Sequence, residues 1–276
     1  MNDGALPYLR CPVCGGDFAV EQRSLRCGRG HGFDIARQGY VNLTVGHMPH
    51  TGDTGEMVAA RADFLAAGHY DIVTRALADA AVRAPAPAEL VLDAGTGTGW
   101  HLAGVLDALP QAVGLGLDVS KAALRRAARA HPRAGAALAD LWRPLPVADA
   151  SVSVLLNVFA PRNGAEFRRV LRPDGMLLVA TPAADHLCEL VAPLRLLRVD
   201  PDKAERVADS LGGHLTRADR HTHRGALTLT HDEVRTLVGM GPSAWHTRPD
   251  ELADGVAALP AQVTVTVAVD VTAYRR

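Results

Sequence analysis

An apolar run that ends in an acid and three glycines limits the folds open to this chain more than any other feature. It spans 90–100 and reads Leu-Val-Leu-Asp-Ala-Gly-Thr-Gly-Thr-Gly-Trp. A short continuous apolar run is typical of a strand buried on both faces, and the glycines let a ligand approach the backbone closely. Because open α/β sheets bind ligands at the carboxyl ends of their strands, the pattern predicts a ligand site that includes Asp93, Gly95 and Gly97.

The spacing after these glycines distinguishes between nucleotide ligands. A dinucleotide fingerprint requires a third glycine three residues after its second, and Trp100 occupies that position. The sequence therefore argues against a nicotinamide cofactor. A second apolar run, 112–117, ends in Asp118, whose carboxylate can accept hydrogen bonds from both hydroxyls of an adenosine ribose. A third run, 134–139, ends in Asp140, at the position where such folds hold the adenine amine.

The order and spacing of these motifs resemble the class I S-adenosylmethionine-dependent methyltransferases. The resemblance implies a Rossmann-like α/β fold with a mostly parallel, seven-stranded sheet and an antiparallel C-terminal strand. Residues 89–276 are expected to form this domain. Patterning predicts strands over 151–158 and 176–180, a helix over 166–171 with a turn over 172–175, and a closing antiparallel pair over 226–230 and 263–271. Thr230 and Glu233 predict a capping box for the helix between that pair.

Ahead of this domain, four metal-ligand residues occur in two pairs. Cys11 and Cys14 form C-x2-C, and after twelve further residues Cys27 and His31 form C-x3-H. Two such pairs fit tetrahedral zinc, and four protein ligands leave no open position, so the ion is predicted to be structural. A redox C-x-x-C or chance clustering would leave the second pair unexplained.

The residues around these ligands predict a small separate module. Strand-like arms occur at 18–20 and 24–26, between the two ligand pairs. A module of this size cannot bury enough apolar surface to fold alone, so it depends on the metal. We expect residues 1–45 to form a zinc ribbon and residues 46–88 a linker and helical segment.

The charge of the chain is nearly balanced, with 29 Lys and Arg against 30 Asp and Glu, a net charge of −1. This balance excludes a global positive field that would attract nucleic acid or anionic lipid, so any polyanion must be held by local patches. The N-terminus lacks a signal-peptide pattern, and no stretch approaches the roughly 18 apolar residues of a membrane span. We therefore expect a cytosolic protein with no membrane partner.

Three basic clusters in the sequence are candidates for such patches. The first contains no acid and is predicted to form a stripe along one helix, with a solvated helix face as the alternative; it comprises Lys121, Arg125, Arg126, Arg129 and Arg133. The second comprises Arg162, Arg168, Arg169 and Arg172. The third comprises Arg217, Arg220, His221, His223 and Arg224.

Several long segments outside the motifs are distinctive. They are 11–14, 31–43, 52–57, 64–70 with Arg61, 180–182, 186–187 and 240–245. These segments resemble the bacterial 23S rRNA guanine-N1 methyltransferases of the RlmA type, and the resemblance covers almost the whole chain. Within that family, the chain resembles most the tylosin-resistance enzymes of antibiotic producers.

The resemblance implies a substrate and a biological role. The expected reaction is methylation of guanine N1 in the hairpin 35 loop of domain II, at about nucleotide 748, which lines the peptide exit tunnel near the macrolide site. A methyl group there implies resistance to tylosin-type macrolides. A homodimer is expected from the family alone.

The resemblance also implies roles for individual residues. The two cysteine and histidine pairs become zinc ligands, and the S-adenosylmethionine site is lined by Tyr70, Thr98, Gly99, Trp100, Asp118 and His186. Related enzymes hold the acceptor base at the position of Asn157, Phe159 and Pro161, which makes Phe159 a candidate to stack on a flipped guanine. Core packing is the alternative for Phe159, and the general base is not identified.

The residues alone leave two further functions open. A small-molecule methyltransferase, acting on a natural product, would use the zinc module to dock another protein, and the neutral charge favours this interpretation. A non-catalytic ribosome-assembly factor would keep only the cofactor pocket. The zinc module and the family segments favour the rRNA methyltransferase.

Overall fold

The computed structural model describes residues 2–47, 51–200, 203–241 and 248–276. Residues 242–245 of the C-terminal family segment lie outside these ranges. The described residues form a three-stranded ribbon and an eight-stranded sheet flanked by helices. Within this part of the chain, no helix is long and apolar enough to cross a membrane.

The N-terminal module is an antiparallel ribbon that follows a short 3-10 helix, Asp3–Tyr8. Its strands are β1 (Phe18–Glu21), β2 (Ser24–Cys27) and β3 (Gly32–Asp34). β2 pairs with both neighbours. The predicted arms at 18–20 and 24–26 are therefore present, each one residue longer than the sequence indicated.

The main sheet has the predicted α/β architecture with one additional strand. Its strands are β4 (Val41–Asn42), β5 (Leu90–Ala94), β6 (Val113–Asp118), β7 (Ala134–Leu138), β8 (Val152–Val158), β9 (Leu171–Pro182), β10 (Thr216–Thr230) and β11 (Gln262–Arg275). They lie in the order β10-β11-β9-β8-β5-β6-β7-β4. β4 to β9 are parallel, and β11 runs antiparallel to both β9 and β10. The sheet has eight strands where seven were predicted. The additional strand is β4, which follows the ribbon in the chain and pairs with β7.

Helices cover both faces of this sheet. They are α1 (Gly55–Ala66), α2 (Asp71–Val82), α3 (Trp100–Ala108), α4 (Lys121–Ala127), α5 (Gly164–Val170), α6 (Cys188–Val191), α7 (Lys203–Gly212), α8 (His231–Gly239) and α9 (Pro249–Ala257). The capping box predicted before α8 is present, with Thr230 as the N-cap and Glu233 three residues on. Successive residues of β5 alternate between two buried clusters, Leu92 on one face and Val91 on the other, as pleated strands require.

Two predicted boundaries are wrong. Residues 172–175 do not separate a helix from a strand as a free turn. They form a bulge inside β9, because Leu171 pairs with Val152 and Met176 with Val154, so four residues oppose Ser153 alone. The final pair is also much longer than predicted, since β10 is a mostly exposed edge strand whose polar residues hide the alternation.

The ribbon packs against the sheet where a helix would normally lie. The connection 139–151 between β7 and β8 contains no helix. Instead, Leu9 forms an antiparallel bridge with Val147, and the Ala148 N–H donates to the Tyr8 carbonyl at 2.8 Å. Leu9 and Leu25 of the ribbon join the same buried cluster as β5 and β6. The N-terminal module therefore supplies core to the main domain.

Candidate zinc centre and cofactor crevice

The four predicted metal ligands converge in the ribbon. The potential ligand atoms of Cys11, Cys14, Cys27 and His31 all lie within 4.8 Å of one another. The sulfurs of Cys14 and Cys27 are 3.7 Å apart, and His31 Nδ1 is 3.3 Å from Cys27 Sγ. Four donors at zinc-bond length around one ion would be separated by about 3.5 Å. The three thiols and one imidazole therefore fit a tetrahedral zinc ion.

Backbone hydrogen bonds hold these ligands in place. The Cys11 carbonyl accepts from the Gly15 N–H at 2.8 Å, and the Cys27 N–H donates to the His31 carbonyl at 3.1 Å. Burial opposes ionisation of Cys27, but hydrogen bonds from the backbone N–H groups of Arg29 and His31 outweigh it and lower the pKa of the thiol to about 6. The site therefore favours the thiolate that zinc requires.

The glycine loop after β5 and the end of β6 form the predicted crevice. Asp118 accepts from the Gly97 N–H through Oδ2 and from the Ser120 N–H through Oδ1, each at 2.8 Å. Gly99 is the N-cap of α3 with φ +80°, and a Cβ there would lie 2.9 Å from Ala127 Cα. Only glycine satisfies both constraints. The glycine loop thus lies directly beside the Asp118 carboxylate and is hydrogen-bonded to it.

Asp93 lies beneath this loop and is 1% exposed. Its Oδ1 has no hydrogen-bond partner among the described residues. Burial raises the pKa of Asp93 to about 7, and the neighbouring charge of Asp118 contributes further. An orphaned buried carboxyl oxygen fits a site that acquires a donor when a ligand binds. Asp140 is also buried, and its Oδ1 accepts from the Trp142 N–H at 3.0 Å.

The sequence motifs do not identify one further residue beside the glycine loop. Arg61 on α1 lies against the glycine loop, where a Cβ on Gly97 would be 3.6 Å from its Nη1. Its guanidinium donates to the Asp53 carboxylate and, at 2.7 Å, to the Met240 carbonyl. Asp53 is itself tied to the crevice, since Ser120 Oγ donates to its carbonyl at 2.8 Å. In the sequence, the signal for this pair was its position, with Asp53 just before the start of α1 and Arg61 within the helix.

Three aromatic rings from distant parts of the chain meet beside the crevice. Tyr70 Oη lies 3.1 Å from His186 Nε2, and the Ala268 N–H donates to His186 Nδ1 at 3.2 Å. Because Nδ1 accepts, the ring proton is on Nε2 and is directed to the Tyr70 oxygen. Burial raises the pKa of Tyr70, so the phenol is neutral. Phe159 stacks towards His186 with a centroid distance of 6.4 Å.

Phe159 and its neighbours show how the acceptor side is built. Phe159 is 42% exposed with φ +52°, so the alternative that it packs in the core is wrong. Asn157 is buried, and its Nδ2 donates to the carbonyls of Ala94 at 3.0 Å and Pro161 at 2.8 Å. Asn157 therefore fixes the 158–161 loop against the end of β5, and Phe159 presents the free surface.

Thr98 and Trp100 are the two predicted cofactor residues that line a large cavity. They line a cavity of about 530 Å³ between α1, α2, α3 and α4. Asp63 and Arg126 also line this cavity, whereas Asp118 and Asp140 do not. The cofactor role of Thr98 and Trp100 therefore stays a prediction.

The predicted basic stripe is wrong in part. α4 ends at Ala127, so Arg129 and Arg133 do not share its face with Lys121, Arg125 and Arg126. Arg133 instead caps the end of α3, because its guanidinium donates to the carbonyls of Leu106, Leu109 and Ala112. Those contacts occupy the guanidinium that was predicted to bind RNA. The remaining four cations of the stripe are exposed.

Comparison with known proteins identifies the class. A sequence profile described as a methyltransferase domain matches residues 91–175, and one for the N-terminal zinc ribbon of RlmA matches residues 9–47. The fold resembles Bacillus subtilis YcgJ, with a TM-score of 0.51 and 16% identity over 73% of this chain and 98% of that chain. It also resembles the complex of the Haloferax volcanii Trm112 activator with its methyltransferase, with a TM-score of 0.50 and 20% identity over 79% of this chain and 93% of that chain. The chain is an S-adenosylmethionine-dependent methyltransferase with a structural zinc ribbon.

Full-length relatives then give the family. A Micromonospora griseorubida protein with the provisional name 23S rRNA (guanine-N(1)-)-methyltransferase is 63% identical over all of this chain and 99% of its own length. The 23S rRNA (guanine(748)-N(1))-methyltransferase of Streptomyces fradiae is 50% identical, again over 100% of this chain and 99% of its own length. The chain belongs to the family of 23S rRNA (guanine-N1) methyltransferases.

Proposed function

We propose that this protein methylates N1 of a guanine in the hairpin 35 loop of 23S rRNA, at the position numbered 748 in the name of the Streptomyces fradiae relative. The observation that carries the proposal is the adjacency of two features. Asp93 and Asp118 lie at the carboxyl ends of β5 and β6, and an exposed aromatic, Phe159, follows β8, which pairs with β5. A nucleoside cofactor and a planar base would therefore meet at one edge of the sheet.

Each crevice residue is proposed to contact a different part of S-adenosylmethionine. Asp118 accepts from the ribose hydroxyls, and the backbone of Gly95, Gly97, Thr98 and Gly99 allows close approach to the methionine part. Asp140 lies at the adenine end, while Asp93 supports the loop from below. When bound, the cofactor supplies a methyl group on a sulfonium together with its own leaving group. The protein is therefore required mainly to align the two reactants.

The acceptor side is proposed to hold the guanine and stabilise its deprotonated form. Phe159 stacks on the base, as aromatic side chains do with bases that have left a helix. Since the His186 Nε2–H donates to the Tyr70 oxygen, the phenol hydrogen is available for a ligand oxygen. A donor to O6 would favour loss of the N1 proton. Trp100 is proposed to act only through the position of the glycine loop.

We also propose a division of the chain into three parts. Residues 1–45 act as the zinc ribbon, 46–88 as the linker and helical segment, and 89–276 as the methyltransferase domain. Methylation is proposed to protect ribosomes in the cytosol from tylosin-type macrolides. A homodimer, which sedimentation at micromolar concentration would detect, is proposed from the family resemblance.

Primer extension provides a direct test of the reaction. The purified protein would be incubated with labelled S-adenosylmethionine and a hairpin 35 transcript, in parallel with a transcript whose target guanine is replaced by adenine. We expect label in the first transcript and a reverse-transcriptase stop at the guanine, because an N1 methyl blocks pairing. Label in both transcripts, or in neither while small molecules are labelled, would overturn the assignment.

A further inference from the structure

A second polar cleft lies on the sheet face opposite the Tyr70 ring. It is lined by Thr181, Val207, Arg217, Arg220, Thr272 and Tyr274, and we call it the arginine cleft. The strand register explains its composition, because Arg217 of β10 lies directly opposite Tyr274 and Arg220 opposite Thr272. Side chains at directly opposed positions share a face of the sheet. Thr181 and Thr272 are buried, so the floor of the cleft is polar where a core would be apolar.

The positive charge in this cleft is not balanced. Arg220 pairs with Asp270 at 2.7 Å, and Thr222 Oγ1 donates to the other oxygen of the same carboxylate. Within the described part of the chain, neither Arg217 nor Arg162 forms an ion pair. Arg162 follows the 158–161 loop and is half-buried, and its Nε is buried without a hydrogen-bond partner among the described residues. Of the two arginines that line the cleft, Arg220 is therefore paired with an acid and Arg217 is not.

Other arginines nearby do not share this imbalance. Arg169 pairs with Glu166 and Asp149, each at 2.6 Å, and Arg172 pairs with Glu89 and Asp174, each at 3.0 Å. Burial raises the pKa of the Tyr274 phenol, and the positive charges of Arg217, Arg162 and Arg220 offset only part of that rise. Arg217 and Arg220 thus line the cleft beside the buried Tyr274.

The cleft lies close to the proposed acceptor side. Thr181 is the penultimate residue of β9, at the carboxyl edge of the sheet. Arg162 follows Pro161, whose carbonyl is held by Asn157 in the loop that presents Phe159. A nucleotide whose base stacks on Phe159 would therefore extend its backbone towards this cleft. Unpaired guanidinium groups beside hydroxyl donors are suited to a phosphodiester.

We propose that Arg162, Arg217 and Arg220 bind a phosphodiester of the RNA that flanks the target guanine. This inference rests on the proposed rRNA substrate and adds the surface by which the protein holds the backbone. Phosphate contacts set register and supply affinity without reading sequence. They also make affinity depend on salt, because each neutralised phosphate releases counterions.

The test compares binding of the hairpin 35 transcript by the full-length, zinc-loaded protein and its variants over a range of salt concentrations. In the double variant Arg162→Gln, Arg217→Gln, we expect the RNA Kd to rise about tenfold. The slope of log K against log salt should fall by about 1 to 2, and the Kd for S-adenosylmethionine should not change. Arg217→Lys should retain most of the affinity. Arg235→Gln, which removes a cation already paired with Asp232, is the matched control and should behave as the wild type.

The outcomes separate this inference from the proposed function. If the wild type methylates the transcript but the double variant keeps its RNA affinity and salt slope, the arginine cleft does not bind the backbone. If the double variant loses S-adenosylmethionine affinity as well, the cleft supports the fold and the inference fails. If the wild type does not methylate the transcript, the proposed substrate is wrong.

Discussion

The zinc centre and the cofactor crevice are built by opposite strategies. The zinc centre takes all four of its ligand side chains from 11–31, within one ribbon. The crevice draws on β5, β6, β8 and β9, on Arg61 from α1 and on a backbone N–H at Ala268. A site of the first kind should fail as a unit when one ligand is removed. A site of the second kind should lose its functions separately.

The largest effect is expected from loss of a zinc ligand. Cys27→Ser should release the ion and unfold the ribbon, because zinc binding supplies about 10 kcal/mol or more to small zinc modules. Since Leu9 and Leu25 belong to the core of the main sheet, the melting temperature of the whole protein should fall by about 10 °C. Metal analysis and calorimetry measure the two effects.

Cys188→Ser provides the matched control for this variant. Cys188 is an exposed cysteine on α6, remote in sequence from the zinc ligands. Its replacement should leave both metal content and melting temperature at wild-type values. A Cys27→Ser protein that retains a full equivalent of zinc would contradict the four-ligand site.

The next effect is a pH dependence of stability that arises in the crevice and not in the ribbon. The pKa of Asp93 is raised from 3.8 to about 7 in the folded protein, chiefly by burial. The stability contributed by the protonated Asp93 carboxyl is fully present below its pKa in the unfolded chain. It is lost as the pH rises through its pKa in the folded protein. Between pH 5 and 8 the free energy of unfolding of the cofactor-free protein should therefore fall by about 3 kcal/mol relative to Asp93→Asn. Urea denaturation at the two pH values, with equal zinc content, measures this difference, and a constant difference would refute it.

Removal of Asp118 should abolish one function and leave the other intact. Asp118→Ala should raise the Kd for S-adenosylmethionine about 100-fold, because two hydrogen bonds to a charged acceptor are lost. Zinc content should be unchanged. Titration calorimetry measures the affinity, with Asp254→Ala on the exposed side of α9 as control. If the Asp118→Ala variant bound S-adenosylmethionine with wild-type affinity, Asp118 would not contact the ribose.

The smallest effect distinguishes the acceptor side of the crevice from its cofactor side. Phe159→Ala should raise the KM for the transcript about tenfold through loss of base stacking, while the Kd for S-adenosylmethionine stays the same. Phe159→Tyr should retain most of the activity. Steady-state kinetics with varied RNA measure both. An Ala variant with the wild-type KM would mean that the guanine does not stack on Phe159.

The same contrast explains what the sequence could predict. The zinc ligands, the glycine loop and Asp118 follow from spacing along short stretches, because the local backbone fixes their geometry. The hydrogen bond of Tyr70 to His186 joins residues 116 positions apart, and the N–H that sets the histidine tautomer is 82 positions further on. No pattern in one sequence encodes such contacts, so only the family resemblance indicated these two residues.

The errors in the fold have physical causes of the same kind. β4 was missed because a strand of two residues carries no periodicity, and it exists through pairing with β7. Arg133 was assigned to a basic stripe because charge alone does not show whether a guanidinium caps a helix end. In each case the deciding interaction involves a partner that is distant in the sequence.

The packing of Leu9 against Val147 has a consequence for synthesis of the protein. The ribbon leaves the ribosome before the main domain, and Val147, the partner of Leu9, is encoded 138 residues later. At typical elongation rates, that delay is roughly 7 to 28 s. During this time the nascent N-terminus has no sheet to cover it, and the metal holds it in shape. Zinc available to the growing chain, rather than to the finished enzyme, should therefore set the yield of native protein.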